Sequence, residues 1–272
     1  MNAAIAAARS RRARAAAPPP GPLAALTTLE DIAIVTYDVA PEALAALLPD
    51  WAEPDVLTLA DGRRRALVSA VTFRDVDFRF RLLPFVRLGM LQTNYRAYVR
   101  TGGERAVWFL GSTLTSRSVE VPRRLWSMPW HRVEATLEAT WDGVTCTRWR
   151  STVTGSWGGM DVQVEGTDEP MGTLDGLADE AETARVLTHP LTGYYRRLDG
   201  RVAGYRVWHA PMRPTRGRLV HGRYDALEQA GLVTPGQEPH SVLLDRRSDF
   251  IVYLPPSLLG QPLGAPEPPS QR

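Results

Sequence analysis

Residues 92–100, QTNYRAYVR, carry hydrogen-bonding side chains at every second position. Side chains alternate across a strand, so Gln92, Asn94, Arg96, Tyr98 and Arg100 share one face while Tyr95, Ala97 and Val99 share the other. That row is either the wet side of a sheet with its apolar side in the core or the lining of a cavity where an arginine anchors an anionic ligand. The pattern alone leaves both open. In RVEATLEATW, Glu134, Thr136, Glu138 and Thr140 fall together. Glutamates two apart can share a site and raise one another's pKa for acid–base work, though a solvated sheet face gives the same spacing. In RDVDFRFR, Asp75, Asp77, Arg79 and Arg81 also fall on one side and read as cross-strand ion pairs.

The five histidines, His131, His189, His209, His221 and His240, form no pair with metal-ligand spacing, and Cys146 is the single cysteine. No metal site is expected. His131 follows the apolar stretch LWSMPW, and His209 ends the strand-like YRVWH; either could move a proton, and either could be a hydrogen-bonded structural histidine. No nucleophile elbow, phosphate loop or dinucleotide fingerprint is present, so no cofactor is expected.

The elements that must position these groups are mostly strands. Asp61-Gly62, Gly102-Gly103 and Asp142-Gly143 each separate two β-like runs and predict three hairpins of an antiparallel sheet. A strand is expected over 31–39, followed by a helix over 41–48 with Pro41 at its first position. Short helices are expected over 118–126 and 174–187. Further strands are expected in GRVAGYRVWH, HSVLL and FIVYLPP, and so many strands suit closure into a barrel.

The chain has 272 residues, 44% of them hydrophobic, enough for one large β-rich domain. The expected division is a disordered Ala/Arg/Pro-rich tail at 1–22, one domain at 23–258 and a Pro-rich tail at 259–272. All 32 basic residues are arginine. Guanidinium forks bind carboxylates and phosphates bidentately, but they are neither Schiff-base nucleophiles nor general bases. The net charge of +2 includes Arg9, Arg11, Arg12 and Arg14 of the first tail; without them it falls to −2, so no specific nucleic-acid partner is expected. A lone cysteine suits a reducing cytosol, and no apolar run is long enough for a membrane span. A cytoplasmic protein without a membrane partner is the expectation.

Several segments together resemble the YqjF-like family, an uncharacterised bacterial family that shares its fold with acetoacetate decarboxylase. They are YDVAPEALAALLP, DGRRRALVSAVTF, TNYRAYVR followed by GERAVWFL, RRLWSMPWH, TGYYRRLDGRVAGYRVWHAP and PHSVLL, and they run from about Thr28 to Pro256. Where the family pattern has an acidic residue this chain has Gln92, and a His-Pro-Pro-Trp-like element appears as His209-Ala210-Pro211-Met212. The resemblance implies an α+β, β-dominated fold, a cone-like antiparallel barrel with a few outer helices. In such a barrel Asn94, Arg96 and Tyr98 become ligand-binding candidates, with His209 or Tyr195 placed to move a proton. Acetoacetate decarboxylase works through a lysine Schiff base, and this chain has no lysine to supply one.

The expected function is therefore a barrel pocket for a small anionic or carbonyl-bearing molecule, with catalysis left open but not by lysine imine chemistry. A non-catalytic binding or sensor protein is one alternative. A structural protein that forms a homo-oligomer through its eight tryptophans is another.

Overall fold

Gly62, Gly102, Gly103 and Gly143 all have positive φ, a backbone region that costs glycine nothing, and each sits in a turn joining paired antiparallel strands. The three hairpins are where the sequence puts them. The computed structural model describes residues 17–259.

In chain order the strands are β1 (Ala25–Val39), β2 (Glu53–Pro54), β3 (Leu57–Thr58), β4 (Arg64–Phe80), β5 (Leu88–Thr101), β6 (Glu104–Leu114), β7 (Trp130–Arg132), β8 (Glu134–Asp142), β9 (Thr145–Thr154), β10 (Met160–Pro170), β11 (Thr192–Arg196), β12 (Val202–His209), β13 (Thr215–Tyr224) and β14 (Ser241–Leu258). Helices are short: α1 (Pro41–Ala45), α2 (Glu120–Trp126), α3 (Glu180–Thr183) and α4 (Asp225–Gln229), with a 3-10 turn before α2 and a π-helical turn, Ala184–Thr188, after α3. Among the described residues no helix is long and apolar enough to cross a membrane.

Seven strands close a barrel in the order β1-β4-β5-β6-β11-β12-β14, with β14 pairing back to β1. From β14 the sheet branches through β13, β10 and β9 to β8. This arm covers one side of the barrel: Trp149, Val153, Met160, Val162 and Val164 of the arm share an apolar cluster with Val35, Tyr37, Val68, Tyr95 and Ala97 of the barrel strands. The barrel wall is thus covered on its outer face, and its inner face surrounds a cavity.

The sequence reading differs from the structure at four places. HSVLL and FIVYLPP are two parts of one strand, β14, whose exposed Arg246 and Arg247 separate its apolar halves. Across from them in β1 is Asp31, which has φ 54° and lies in a register shift between β1 and β4. There the Asp31 carbonyl accepts from Trp149 Nε1 at 2.8 Å, and its carboxylate accepts from Trp141 Nε1 at 2.8 Å. The helix expected over 174–187 reduces to α3 and the π turn, because Gly176 has φ 77° and Asp179 caps α3 by accepting from the Glu182 amide at 2.6 Å. The helix over 41–48 ends at Ala45. Residues 1–16 and 260–272, most of both expected tails, lie outside the described residues. The chain is tied to the barrel before Pro22, however: the Pro18 carbonyl accepts from the Tyr253 hydroxyl at 2.8 Å and the Pro22 carbonyl from the Leu82 amide at 3.0 Å.

Candidate functional site

Both faces of β5 are covered. Tyr95, Ala97 and Val99 pack outward under the sheet arm, and Gln92, Asn94 and Arg96 line the barrel cavity. The row is thus not a solvated sheet face along its first half, and at its far end Arg100 pairs with Asp55 at 2.7 Å. The cavity has a volume of about 140 Å³ and is walled mainly by apolar residues, among them Ile34, Val71, Phe109, Val207, Phe250 and Val252.

Arg96 is the cation of this cavity. Its Nη2 donates to the Leu187 carbonyl at 2.7 Å and to the Tyr98 hydroxyl at 3.1 Å, while its Nε is buried with no hydrogen-bond partner. Among the described residues no carboxylate lies within ion-pair distance of it. Burying a guanidinium without a counter-ion is costly unless something compensates it. Tyr98 does not face the cavity. Its hydroxyl donates to the Leu187 carbonyl at 3.4 Å and lies 2.9 Å from Ser69 Oγ, which is 2.8 Å from Thr36 Oγ1. The expected ligand-binding Tyr98 therefore stands behind Arg96 and holds it in place.

Next along the strand, Asn94 Oδ1 accepts from Gln92 Nε2 and from Ser112 Oγ, each at 2.7 Å. That fixes the Asn94 amide with its oxygen occupied and its NH₂ left to donate. Gln92, in the place where the family pattern is acidic, uses its amide NH₂ on Asn94 instead.

A carboxylate does enter the cavity, from the neighbouring strand. Asp75 on β4 is 3% exposed and lines the same space. Its hydrogen-bond donor is the hydroxyl of Thr27, which also lines the cavity from β1. No cation among the described residues pairs with it, and burial pushes its pKa up from 3.8 to about 7, with the Thr27 hydrogen bond opposing. Strict alternation would group Asp75 with Asp77, but a bulge between Asp75 and Phe78 breaks the register. Asp77 instead pairs with Arg79 and, at 3.4 Å, with Arg87. The segment does not form the expected cross-strand ion pairs: Asp77 pairs with Arg79 of its own strand and with Arg87 of the following loop, and Asp75 turns to the cavity.

His209 also lines the cavity and is 2% exposed. Its Nδ1 lies 2.9 Å from the Ala210 carbonyl, so that nitrogen carries the proton and donates, leaving Nε2 as acceptor in the neutral ring. The ring stacks on Phe250 with centres 4.3 Å apart and meets His189 edge to face at 4.6 Å. Burial first, then His189, lowers its pKa to about 4, so it is neutral near pH 7. Met212, three residues on, lines the cavity as well.

Tyr195, the other expected proton carrier, lies one layer behind the wall. It is buried in a cluster with Met128, Ala203 and Leu254, and its hydroxyl has no hydrogen-bond partner. Burial raises its pKa, so it holds its proton. Between it and the cavity stand Met128, Leu254 and Tyr205, the last with its ring centre 6.2 Å away. Gly193 and Tyr195 share a face of β11, but Gly193 stands at the level of the cavity while Tyr195, two residues further along the strand, packs into that neighbouring cluster.

The remaining candidates lie elsewhere. His131 stacks on Trp157 at 4.6 Å. The Cys146 thiol is buried, donates to the Arg148 carbonyl at 3.3 Å and is pushed up to about 11, mainly by burial. Glu134, Thr136, Glu138 and Thr140 are all exposed, so that row is a solvated sheet face. None of the eight tryptophans is in the exposed class. Among the described residues no cluster of three or more His, Cys, Asp or Glu side chains could hold a metal.

A closed barrel with a sheet arm and a cavity at its centre is the fold of the acetoacetate decarboxylase-like enzymes. An acetoacetate decarboxylase-like enzyme from Sphingomonas wittichii RW1 superposes with a TM-score of 0.60 at 12% identity, over 88% of this chain and 94% of that one. Acetoacetate decarboxylase from Legionella pneumophila gives 0.58 at 12%, over 89% and 88%. The enduracididine biosynthesis enzyme MppR, in its complex with pyruvate, gives 0.57 at 15%, over 89% and 91%. The sequence profile of the DUF2071 family, described as an uncharacterized conserved protein, matches residues 27–249, and the chain belongs to that family. No curated protein matches it.

Proposed function

We propose that the protein binds a small carboxylate, one that also carries a carbonyl group, inside the barrel. The observation behind this reading is Arg96: a guanidinium facing an apolar cavity, with no counter-ion among the described residues and an unpartnered Nε. A ligand carboxylate supplies the missing charge and accepts from the free N–H groups. Asn94, its oxygen already occupied, offers N–H to a ligand carbonyl. The pyruvate complex of MppR is that protein's property, but a 2-oxo acid in a barrel of this shape supports the same chemical class here.

Imine catalysis has no side-chain amine available, since the chain contains no lysine. The group equipped to exchange a proton with a ligand is Asp75, whose folded pKa of about 7 keeps both forms populated near neutrality. His209, neutral and presenting Nε2, is placed to accept a hydrogen bond. A second reading, a binding or sensor protein without turnover, is favoured by a lining that contains no lysine, cysteine or serine.

Native mass spectrometry of the gently purified full chain, beside Arg96→Gln, tests the binding reading. The expected result is a small acid carried by the wild type and missing from the variant. An acid retained by a folded Arg96→Gln protein would overturn it. Incubation of the identified compound then separates the two readings: conversion to product supports an enzyme, and recovery unchanged supports a binder.

A further inference from the structure

The polar groups of the cavity are not gathered at one point. Arg96 pairs in register with Ser69 of β4, whereas Asp75 lies six residues further along that strand. At about 3.3 Å per residue, and with barrel strands tilted roughly 40° to the axis, these two levels are separated by roughly 15 Å along the barrel. Between them Asn94 and Gln92 of β5 stand opposite Val71 and Phe73, and the rest of the wall is apolar: Ile34, Val71, Phe109, Val207 and Phe250 line it. A three-carbon acid held at Arg96 would leave that wall uncovered and Asp75 out of reach.

Beyond Asp75 the cavity is bounded by Phe78, Trp126 and Trp130, all half-buried. Apolar surface continues outside. The loop that joins β4 to β5 exposes Leu82, Leu83, Phe85 and Val86, with Phe85 78% exposed, and α2 exposes Val121 and Leu125. Phe80, at the base of that loop, meets Trp126 edge to face at 6.4 Å, so loop and helix flank the same end. The cavity therefore runs from a half-buried cation, along a mainly apolar tube, to an aromatic opening with an apolar rim.

From this layout we infer that the ligand is an elongated amphipathic carboxylate, its acid group at Arg96 and an unbranched or aromatic apolar body reaching the Phe78–Trp126–Trp130 end. This rests on the carboxylate reading above and goes beyond it by fixing the ligand's length and its second pole. Asp75 and Thr27 then meet a mid-chain or distal group of the ligand rather than its head.

The test is a chain-length series on the full protein, followed by calorimetry and by tryptophan fluorescence, with butyrate, octanoate, tetradecanoate and 1-octanol as probes. Burying each added methylene should tighten binding about threefold to fourfold, so octanoate should bind at least about 50-fold more tightly than butyrate. Trp126→Ala should weaken tetradecanoate, whose extended chain is long enough to pass Asp75, about tenfold and leave butyrate unchanged, and Arg96→Gln should weaken all three acids while leaving 1-octanol unaffected. Butyrate and octanoate of equal affinity, both lost in Arg96→Gln, would sink the elongated ligand and leave the carboxylate reading standing. No binding of any acid, or octanoate binding that matches 1-octanol and ignores Arg96→Gln, would sink both. The wild-type series decides the matter by itself should Trp126→Ala fail to fold.

Discussion

The Arg96 guanidinium donates to the Leu187 carbonyl at 2.7 Å, tying the cation of the cavity to the π-helical turn at its buried end. The side chain is therefore fixed before any ligand arrives, and a ligand meets a preorganised donor. Arg96→Gln removes a charge-assisted hydrogen bond to the ligand, and carboxylate affinity is expected to fall about 10- to 100-fold. The variant should remain folded, because the Tyr98 hydroxyl also reaches the Leu187 carbonyl, at 3.4 Å. Calorimetry with octanoate and a thermal melt of the same sample check the two halves of this prediction.

Asp75 should make the barrel less stable as pH rises. Its folded pKa, about 7, lies above the ordinary 3.8, so between those values the folded state holds a proton that the unfolded chain has lost. This contribution is complete below pH 3.8 and is lost as pH climbs through 7. Asp75→Asn keeps an acceptor for Thr27 without the ionisation. The unfolding free energy of the variant relative to wild type should rise by roughly 4 kcal/mol from pH 4 to pH 8. Urea titrations at pH 4, 6 and 8 measure it; a difference that stays flat with pH would show that Asp75 ionises normally.

His209 should give the opposite slope. Its folded pKa is about 4 against an ordinary 6.5, so as pH falls through that window the unfolded chain takes up the proton first and stability declines. Above pH 6.5 this contribution is fully present. His209→Gln removes the effect, and the wild type should lose roughly 3 kcal/mol more than the variant between pH 7 and pH 4. The Asp75 and His209 slopes nearly cancel over that range in the wild type, so each becomes visible only when the other is replaced.

Gly166 marks the tightest approach in the sheet arm. A Cβ built there lies 1.8 Å from the Cys146 carbonyl oxygen, a backbone atom that no rotamer change can move. Gly166→Ala should cost at least about 2–3 kcal/mol by forcing β9 and β10 apart, read as a lowered urea midpoint. A midpoint within 0.3 M of wild type would argue against this close packing.

The sequence made some of this legible and hid the rest for identifiable reasons. Glycine-bearing turns announced the hairpins because positive φ restricts what residue can sit there. Alternation in QTNYRAYVR announced a polar row, but its direction depends on barrel closure between β1 and β14, a pairing between distant parts of the chain that no local pattern records. Asp75 was hidden by its neighbours. It lies in an acid- and arginine-rich stretch that looks like surface, yet it faces inward by alternation with Val71 and Phe73, and the bulge after it takes Asp77 off that face to Arg79 and Arg87. The resemblance implied a role for Tyr195, and its strand face is the one that faces inward, but its level along β11 places it past the cavity, where Gly193 stands.

The pairing of β1 with β14 also governs how the barrel can assemble. Ala25 meets Val252 and Thr36 meets Ser241, so contacts more than 200 residues apart close the ring. Closure entropy must be overcome before those contacts contribute, which makes folding slow relative to helical domains of similar size. On the ribosome, β1 and β4 through β12 emerge as an open sheet with a bare edge at each end. Its closing strand arrives last, and the same strand founds the arm through β13. Until β14 docks, both the cavity and the covering of the barrel wall are incomplete.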